Sequence, residues 1–387
     1  MYQIFDLRQL VEKCGRKGKK LFVAFMDLEK AYDRIDREGM WKVLKMYGIE
    51  GKLLEAIKSF YDGSKACVQI DNIMSEWFDV KVGLRQGCVM STWLFNLFMD
   101  ATMKEVKRRM GDSGVELQDQ NGRWKVSHLL YADDAALIAE SESELREYVE
   151  CFAQVCNDMK LKVNVGKSKI IVFEREGESN CEVFIGNERL EVVEVFKYLG
   201  SVFEKRGGCE NDVNQRVIQG KKVGGIVRNL VKRNGLSVEC ARTIHEVVLV
   251  PTLLYGSETV YLKERDISRI RAVEMDCLRS IVGVRRMDRV RNADVRKVCG
   301  VSKGVEKKRE GGLLAWYGHV ERMNPNRVVK RISVSECVGN EGRGRPRKEW
   351  KDGVNECLMR GGAMVGDVGR LVRDRNGFRR RARRMVA

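Results

Sequence analysis

The sequence predicts an α+β chain in which helices and short strands share roughly the first two hundred residues and helices dominate the remainder. Three observations predict it. Apolar runs of strand length, LFVAFM at 21–26 and the two runs flanking Asp133 and Asp134 within SHLLYADDAALIAES at 127–141, end or begin at aspartates. Between Ser141 and Met159, Leu145, Val149, Phe152, Val155 and Met159 form one stripe at helical spacing. Beyond Gly207 only the helical period recurs, through Val213, Val217, Val223, Ile226 and Leu230 and again through Ile267, Ile270, Val273, Leu278 and Ile281.

Taken in order, Ile4, Leu7, Leu10 and Val11 predict a helix that stops near Gly15, and the basic GRKGKK run then leads into the LFVAFM strand. Met40, Val43, Leu44 and Tyr47 mark a helical face ending at Gly48, and Leu53, Ile57 and Phe60 suggest another. The helix from Ser141 opens on a capping-box spacing, Ser141 and Glu144. Short β-rich pieces come next at Lys169–Phe173, Val183–Ile185 and Val192–Phe203. A boundary falls near 204–210, and the stretch from about 301 is rich in Arg, Lys and Gly, with GRGRPRKEW at 342–350 and FRRRARR at 378–384.

With 387 residues the chain is long enough for two or three packed units. Hydrophobic residues at 43% and charged residues at 33% describe a globular protein and argue against long disorder or a membrane span. Lys and Arg outnumber Asp and Glu by 72 to 55, a formal charge of +17, which favours an extended polyanion such as nucleic acid as partner. A basic surface also keeps a protein soluble, so charge alone leaves both readings open. The twelve cysteines are scattered without a small-domain framework, and no pair has zinc-ligand spacing with the three distant histidines. Asp6 and Arg8 interrupt what would be a signal core, which argues against secretion.

The chemistry is carried by carboxylates. Asp133 and Asp134 are expected at the tip of a tight β-hairpin, where two adjacent negative charges repel unless a cation offsets them. Asp27 ends an apolar strand in the same way and reaches the same edge if the strands pair. Three carboxylates make an oxygen-only site suited to Mg²⁺, and two ions divide activation of an attacking hydroxyl from neutralisation of a leaving phosphate. Read alone, an Asp-Asp pair also fits a solvent-exposed turn.

The ordered set FMDLEKAYD at 25–33, GLRQGCVMSTWLFN at 83–96, YADD at 131–134, NVGKSK at 164–169 and KYLGSVF at 197–203 resembles reverse transcriptases of non-LTR retrotransposons. YGSETVYLKERDISRI, AWYGHVERM and GRPRKEW extend the resemblance toward the carboxy terminus. It implies a polymerase palm over 21–203 with an antiparallel sheet flanked by helices, a helical thumb over 204–300 and a basic nucleic-acid-binding region over 301–387. Residues 1–20 would then be the remnant of a fingers/palm junction, since the family's fingers and endonuclease regions have no counterpart here.

By that resemblance Asp27, Asp133 and Asp134 are the catalytic ligands of two Mg²⁺ ions, with Mn²⁺ as a substitute and the Leu28 carbonyl as a further ligand. Tyr32 would lie under the incoming sugar and exclude a 2′ hydroxyl. Arg85, Gln86 and Gly87 would pack against the nascent base pair and template, although Thr92 stands where the family usually has proline after Ser91. Lys167 would sit near the triphosphate, and Lys197, Tyr198, Leu199 and Gly200 would form the hairpin that grips the primer terminus. Arg343, Arg345, Arg347 and Lys348 would contact nucleic acid. The implied reaction is RNA-templated transfer of dNTPs to a DNA primer 3′ end, inside the cell and between nucleus and cytoplasm. A noncatalytic relic that binds RNA or DNA, and an RNA-templated RNA polymerase, are the alternatives.

Overall fold

The computed structural model describes residues 1–340, 342, 347–360, 372, 374–378 and 380. Its centre is a five-stranded sheet in the order Glu191–Val192, Lys169–Phe173, Leu21–Met26, Asp134–Ala139, His128–Tyr131. All pairings are antiparallel except that of the edge strand Glu191–Val192 with Lys169–Phe173. Leu21–Met26 is central and buried at every position, which is why it reads as a continuous apolar run without alternation.

Side chains leave that strand alternately toward two cores. Phe22, Ala24 and Met26 join the cluster formed with the helices Arg37–Met46, Gly51–Ser59, Val89–Met110 and Glu142–Asp158. Leu21, Val23 and Phe25 join a second cluster with the helix Tyr2–Arg16 and residues Tyr198 and Phe203. The Glu142–Asp158 helix buries Leu145, Val149, Phe152 and Val155 as its stripe predicts, and the Ser141 hydroxyl accepts from the Glu144 amide at 3.2 Å. Glu144 does not close the capping box. Its carboxylate accepts from the amides of Glu140 and Gly114 at 2.8 and 2.6 Å, which ties the helix start to the preceding loop.

Two features go beyond what residue types alone announce. Residues 89–110 form a single 22-residue helix whose apolar side chains are spread around it, so no clean stripe announces it. The β-rich piece Val192–Phe203 folds back on itself as the hairpin the resemblance implies, Val195–Tyr198 pairing with Ser201–Glu204 around Leu199 and Gly200. Both turn residues have positive φ, 47° and 84°, which is the conformation that suits a two-residue hairpin loop.

From Glu210 onward the chain is mainly helical. Glu210–Asn234 and Glu264–Val282 pack through Val213, Val217, Ile270, Val273 and Leu278. The carboxy-terminal helices Val305–Glu321, Val328–Val334 and Trp350–Arg360 close on the first helix, where the Phe5 ring meets Trp350 and Trp316 edge-on at 4.8 and 5.5 Å. Glu336–Cys337 adds a strand to the hairpin of Val115–Asp119 and Gly122–Val126. The Tyr2–Arg16 helix thus serves two cores at once. Among the described residues no helix is long and apolar enough to cross a membrane.

Candidate active site

Strand register places the acidic residues. Met26 pairs with Ala135, so the next step along the two antiparallel strands sets Asp27 opposite Asp134. Facing residues of this kind have Cα atoms about 5 Å apart. Asp133 occupies the two-residue turn between Tyr131 and Asp134, where Ala132 takes φ 53°. A left-handed alanine costs about 1–2 kcal/mol, and the pairing on either side holds it there.

Asp27 is fastened by its backbone. Its amide donates to the Ser168 hydroxyl at 3.1 Å, its carbonyl accepts from the Asn164 amide at 2.8 Å, and Ser168 in turn donates to the Asn164 carbonyl at 2.8 Å. Leu28, 4% exposed, bridges to Val163. The turn that makes these bonds brings the exposed Lys167 ammonium to 4.0 Å from the Asp27 carboxylate. Ser168 and Asn164 lie inside NVGKSK, yet nothing in their residue types marks them out; their roles appear only once the 163–168 segment is seen against Asp27.

Electrostatics reflect the convergence. Asp134 has its carboxyl pKa raised, first by burial against the surrounding protein and then by the charges of Asp133 and Asp27. Tyr32 has its phenol pKa raised by burial and then by Asp133, and its ring stacks on Phe95 at 4.2 Å and 12°. Burial, with Asp134 next, pushes the Tyr198 hydroxyl up. As the side chains stand, no three metal-ligating groups among the described residues form a closed cluster. The donor chemistry nonetheless fits a hard divalent cation, because the charges of Asp133 and Asp27 bear on Asp134 and a cation would relieve that repulsion.

The 83–87 loop docks onto the Ala31–Arg34 turn that carries Tyr32. Gly83 donates its amide to Ile35 and Leu84 to the Tyr32 carbonyl, both at 2.8 Å, and the Gln86 amide side chain donates to Asp33 at 3.0 Å. Arg85 donates to the Ser64 hydroxyl at 3.1 Å and lies 5.8 Å from the Tyr61 ring centroid, while Gly87 has φ 80° and open space around it. On the other side of the edge, Phe196 stacks on Phe25 at 4.5 Å and Tyr198 packs tilted against it at 5.1 Å, two residues before Asp27. Lys197 is exposed on that hairpin, and Leu199 and Gly200 turn it.

The structure therefore brings Asp27, Leu28, Tyr32, Asp133, Asp134 and Lys167 to one edge, with Arg85, Gln86 and Gly87 and the Lys197–Gly200 hairpin packed beside it. It does not bring Arg347 and Lys348 there. The Arg347 guanidinium donates to the Arg206 carbonyl at 2.9 Å and Lys348 to Glu356 at 2.5 Å. Neighbouring Gly342 donates to the Arg16 carbonyl, ahead of the strand end farther from Asp27. Arg343 and Arg345 lie outside the described residues.

A central antiparallel sheet with acidic residues at one edge, helices on both faces and a helical unit after it defines a polymerase-like palm and thumb. The profile of the family described as "Reverse transcriptase (RNA-dependent DNA polymerase)" matches residues 1–203, and the chain belongs to that family. It is 23% identical over 343 residues to the RNA-directed DNA polymerase from mobile element jockey of Drosophila melanogaster, covering 85% of this chain and 35% of that one. It is 26% identical over 224 residues to the retrovirus-related Pol polyprotein from type-1 retrotransposable element R2 of Nasonia vitripennis, covering 54% and 21%. The chain thus spans about a third or less of the length of these relatives. A solved telomerase from Candida tropicalis in complex with a telomeric RNA fragment aligns with TM-score 0.42 and 13% identity, over 85% of this chain and 50% of that one. Reverse transcriptases as a family use divalent metal ions.

Proposed function

We propose that the chain is the polymerase core of a retrotransposon reverse transcriptase and extends a DNA primer on an RNA template. The observation that supports the reading is the register that pairs Met26 with Ala135, so that Asp27 and Asp134 stand next to one pair with Asp133 in the adjoining turn. Asp27, Asp133 and Asp134, with the Leu28 carbonyl, would hold two Mg²⁺ ions, or Mn²⁺ in their place. Bound there, the ions would supply activation of the primer 3′ hydroxyl and charge neutralisation on the triphosphate.

The chain's own residues do the rest. Tyr32, braced by Phe95, fills the space a ribose 2′ hydroxyl needs and so selects dNTPs. Arg85, Gln86 and Gly87, held to the Tyr32 segment through Asp33, support the template and nascent base pair. Lys167 offers its ammonium to the triphosphate, and Lys197, Tyr198, Leu199 and Gly200 hold the primer end. Arg347 and Lys348 lie near the opposite end of the central strand and serve as phosphate contacts for nucleic acid entering or leaving. The division into palm at 21–203, thumb at 204–300 and basic carboxy-terminal region belongs to the same reading, as does work in the cytoplasm and nucleus.

Primer extension on an RNA template with Mg²⁺ tests this. Incorporation by the parent that falls by at least about 10³-fold in an Asp133→Asn, Asp134→Asn double variant is expected. Equal incorporation by both removes the site. Salt-sensitive binding with no incorporation by either selects the noncatalytic nucleic-acid binder instead.

A further inference from the structure

We infer that Asp212, Arg8, Arg216 and Tyr255 form a joint that positions the Leu199–Gly200 turn, so that the Glu210–Asn234 helix sets where a primer end sits against the catalytic edge. This rests on the polymerase reading above and names positioning residues for it.

Asp212 stands in the first turn of that helix and is 5% exposed. One carboxylate oxygen accepts from Arg8 of the first helix at 2.9 Å; the other accepts from the Val202 amide at 2.9 Å and from Arg216 at 3.2 Å. Arg216 also donates to the Gly200 carbonyl, and the Tyr255 hydroxyl donates to the Leu199 carbonyl at 2.8 Å. The Arg216 guanidinium lies over the Tyr255 ring at 4.9 Å. Both carbonyls of the turn are therefore captured by side chains from outside the hairpin. Gly200 allows it: a Cβ there would come within 3.2 Å of the Tyr255 ring.

Two arginines and one aspartate buried together form an arrangement whose desolvation is repaid only by satisfied hydrogen bonds. A two-residue hairpin loop with both φ values positive needs no such network to close. What the network adds is a fixed relation between the grip hairpin, the helix that follows it, and two parts remote from both in sequence, Arg8 of the first helix and Tyr255. The hairpin in turn rests on Phe25 through Phe196 and Tyr198, within two residues of Asp27. Movement of the turn is thus passed to the strand that carries the first catalytic carboxylate.

Tyr255→Phe removes one hydroxyl and keeps the ring; Asp212→Asn keeps the shape and removes the charge. Amide hydrogen exchange at 199–202, single-turnover incorporation and primer–template affinity are measured on each beside the parent and Asp134→Asn. Tyr255→Phe is expected to speed exchange at the turn and to lower the incorporation rate roughly tenfold, the scale of a small misplacement of reacting groups. Affinity should stay within about twofold and the melting temperature nearly constant, since one partly exposed hydrogen bond is lost. Asp212→Asn should do the same more severely; if it does not fold, Tyr255→Phe carries the test. Unchanged exchange in Tyr255→Phe, or a loosened turn with parental incorporation, overturns the joint while leaving a polymerising parent intact. A parent that incorporates no more than Asp134→Asn overturns the polymerase reading and the positioning role with it.

Discussion

Gly83→Ala probes the contact that seats the 83–87 loop. Gly83 is buried with φ 79°, and a Cβ built on it would stand 2.7 Å from the Asp33 carbonyl oxygen and 2.9 Å from the Asp33 Cα. Those atoms are backbone and cannot rotate away. The loop cannot retreat either without giving up the Gly83 and Leu84 amide bonds to Ile35 and Tyr32 and the Arg37 side-chain bond to the Gly83 carbonyl at 3.1 Å. A left-handed alanine costs about 1–2 kcal/mol, and a forced overlap in a packed site costs about 1–3 kcal/mol more. Gly87→Ala supplies the control, because Gly87 has nearly the same φ, 80°, and nothing within 4 Å. Equilibrium urea unfolding should therefore show Gly83→Ala worse than Gly87→Ala by about 1–3 kcal/mol. Primer extension should fall further in Gly83→Ala, since Arg85 and Gln86 ride on the displaced loop. Equal destabilisation by the two substitutions would refute the close-approach argument.

Three further outcomes are expected. Burial, reinforced by the neighbouring Glu349 carboxylate, pushes Glu12 up to about 8 from an ordinary 4.5, while Gln9 and the Trp350 amide donate to it. The folded state keeps its proton where the unfolded state has lost it, so this contribution to stability is present in full below pH 4.5 and is lost as pH rises toward 8. The loss is about 1.4 kcal/mol per pH unit in that window, and the difference between parent and Glu12→Gln in urea unfolding should carry that slope; a flat difference counts against the buried acid. Tyr32→Ala should narrow the preference for dNTPs over rNTPs by at least about tenfold, and an unchanged ratio in competition assays would move the sugar contact elsewhere. Mg²⁺ at ten times its dissociation constant should stabilise the parent by about 1.4 kcal/mol, and thermal melts of Asp27→Asn should show little of that shift.

The strands and helices that could be read from the sequence are those in which one physical constraint dominates. LFVAFM is buried on both faces, and the Ser141–Met159 stripe is buried on one, so each shows an undiluted pattern. Residues 89–110 did not, because that helix has buried residues on several sides and exposes Val89 and Trp93 besides. The Leu199–Gly200 turn was legible from the family resemblance and not from its residue types. Its left-handed Leu199 is not a turn-forming residue type, and the bonds that secure the turn come from Arg216 and Tyr255. Asp212 itself, one acid among many in the sequence, gains its place through Val202, Arg216 and Arg8, and the last lies so far away in the chain that no local reading could supply it.

The acidic residues were legible as candidates because charge at the end of an apolar strand is costly, but their meeting depends on register, and register is set by the core. In a β-strand a slip of one residue sends every side chain to the other face. Here Phe22, Ala24 and Met26 belong to one cluster and Leu21, Val23 and Phe25 to the other, so a slip would push phenylalanines and leucine into spaces shaped for different neighbours on both sides of the sheet. Packing on two faces pins Met26 to Ala135, and Asp27 and Asp134 are the residues next to that pair on the two strands. The fastening of the Asp27 backbone by Ser168 and Asn164 then limits the freedom of the residue just past the last ladder pair. The apolar core thus supplies the precision of an acidic site that the same carboxylates, by repelling one another, would otherwise pull apart.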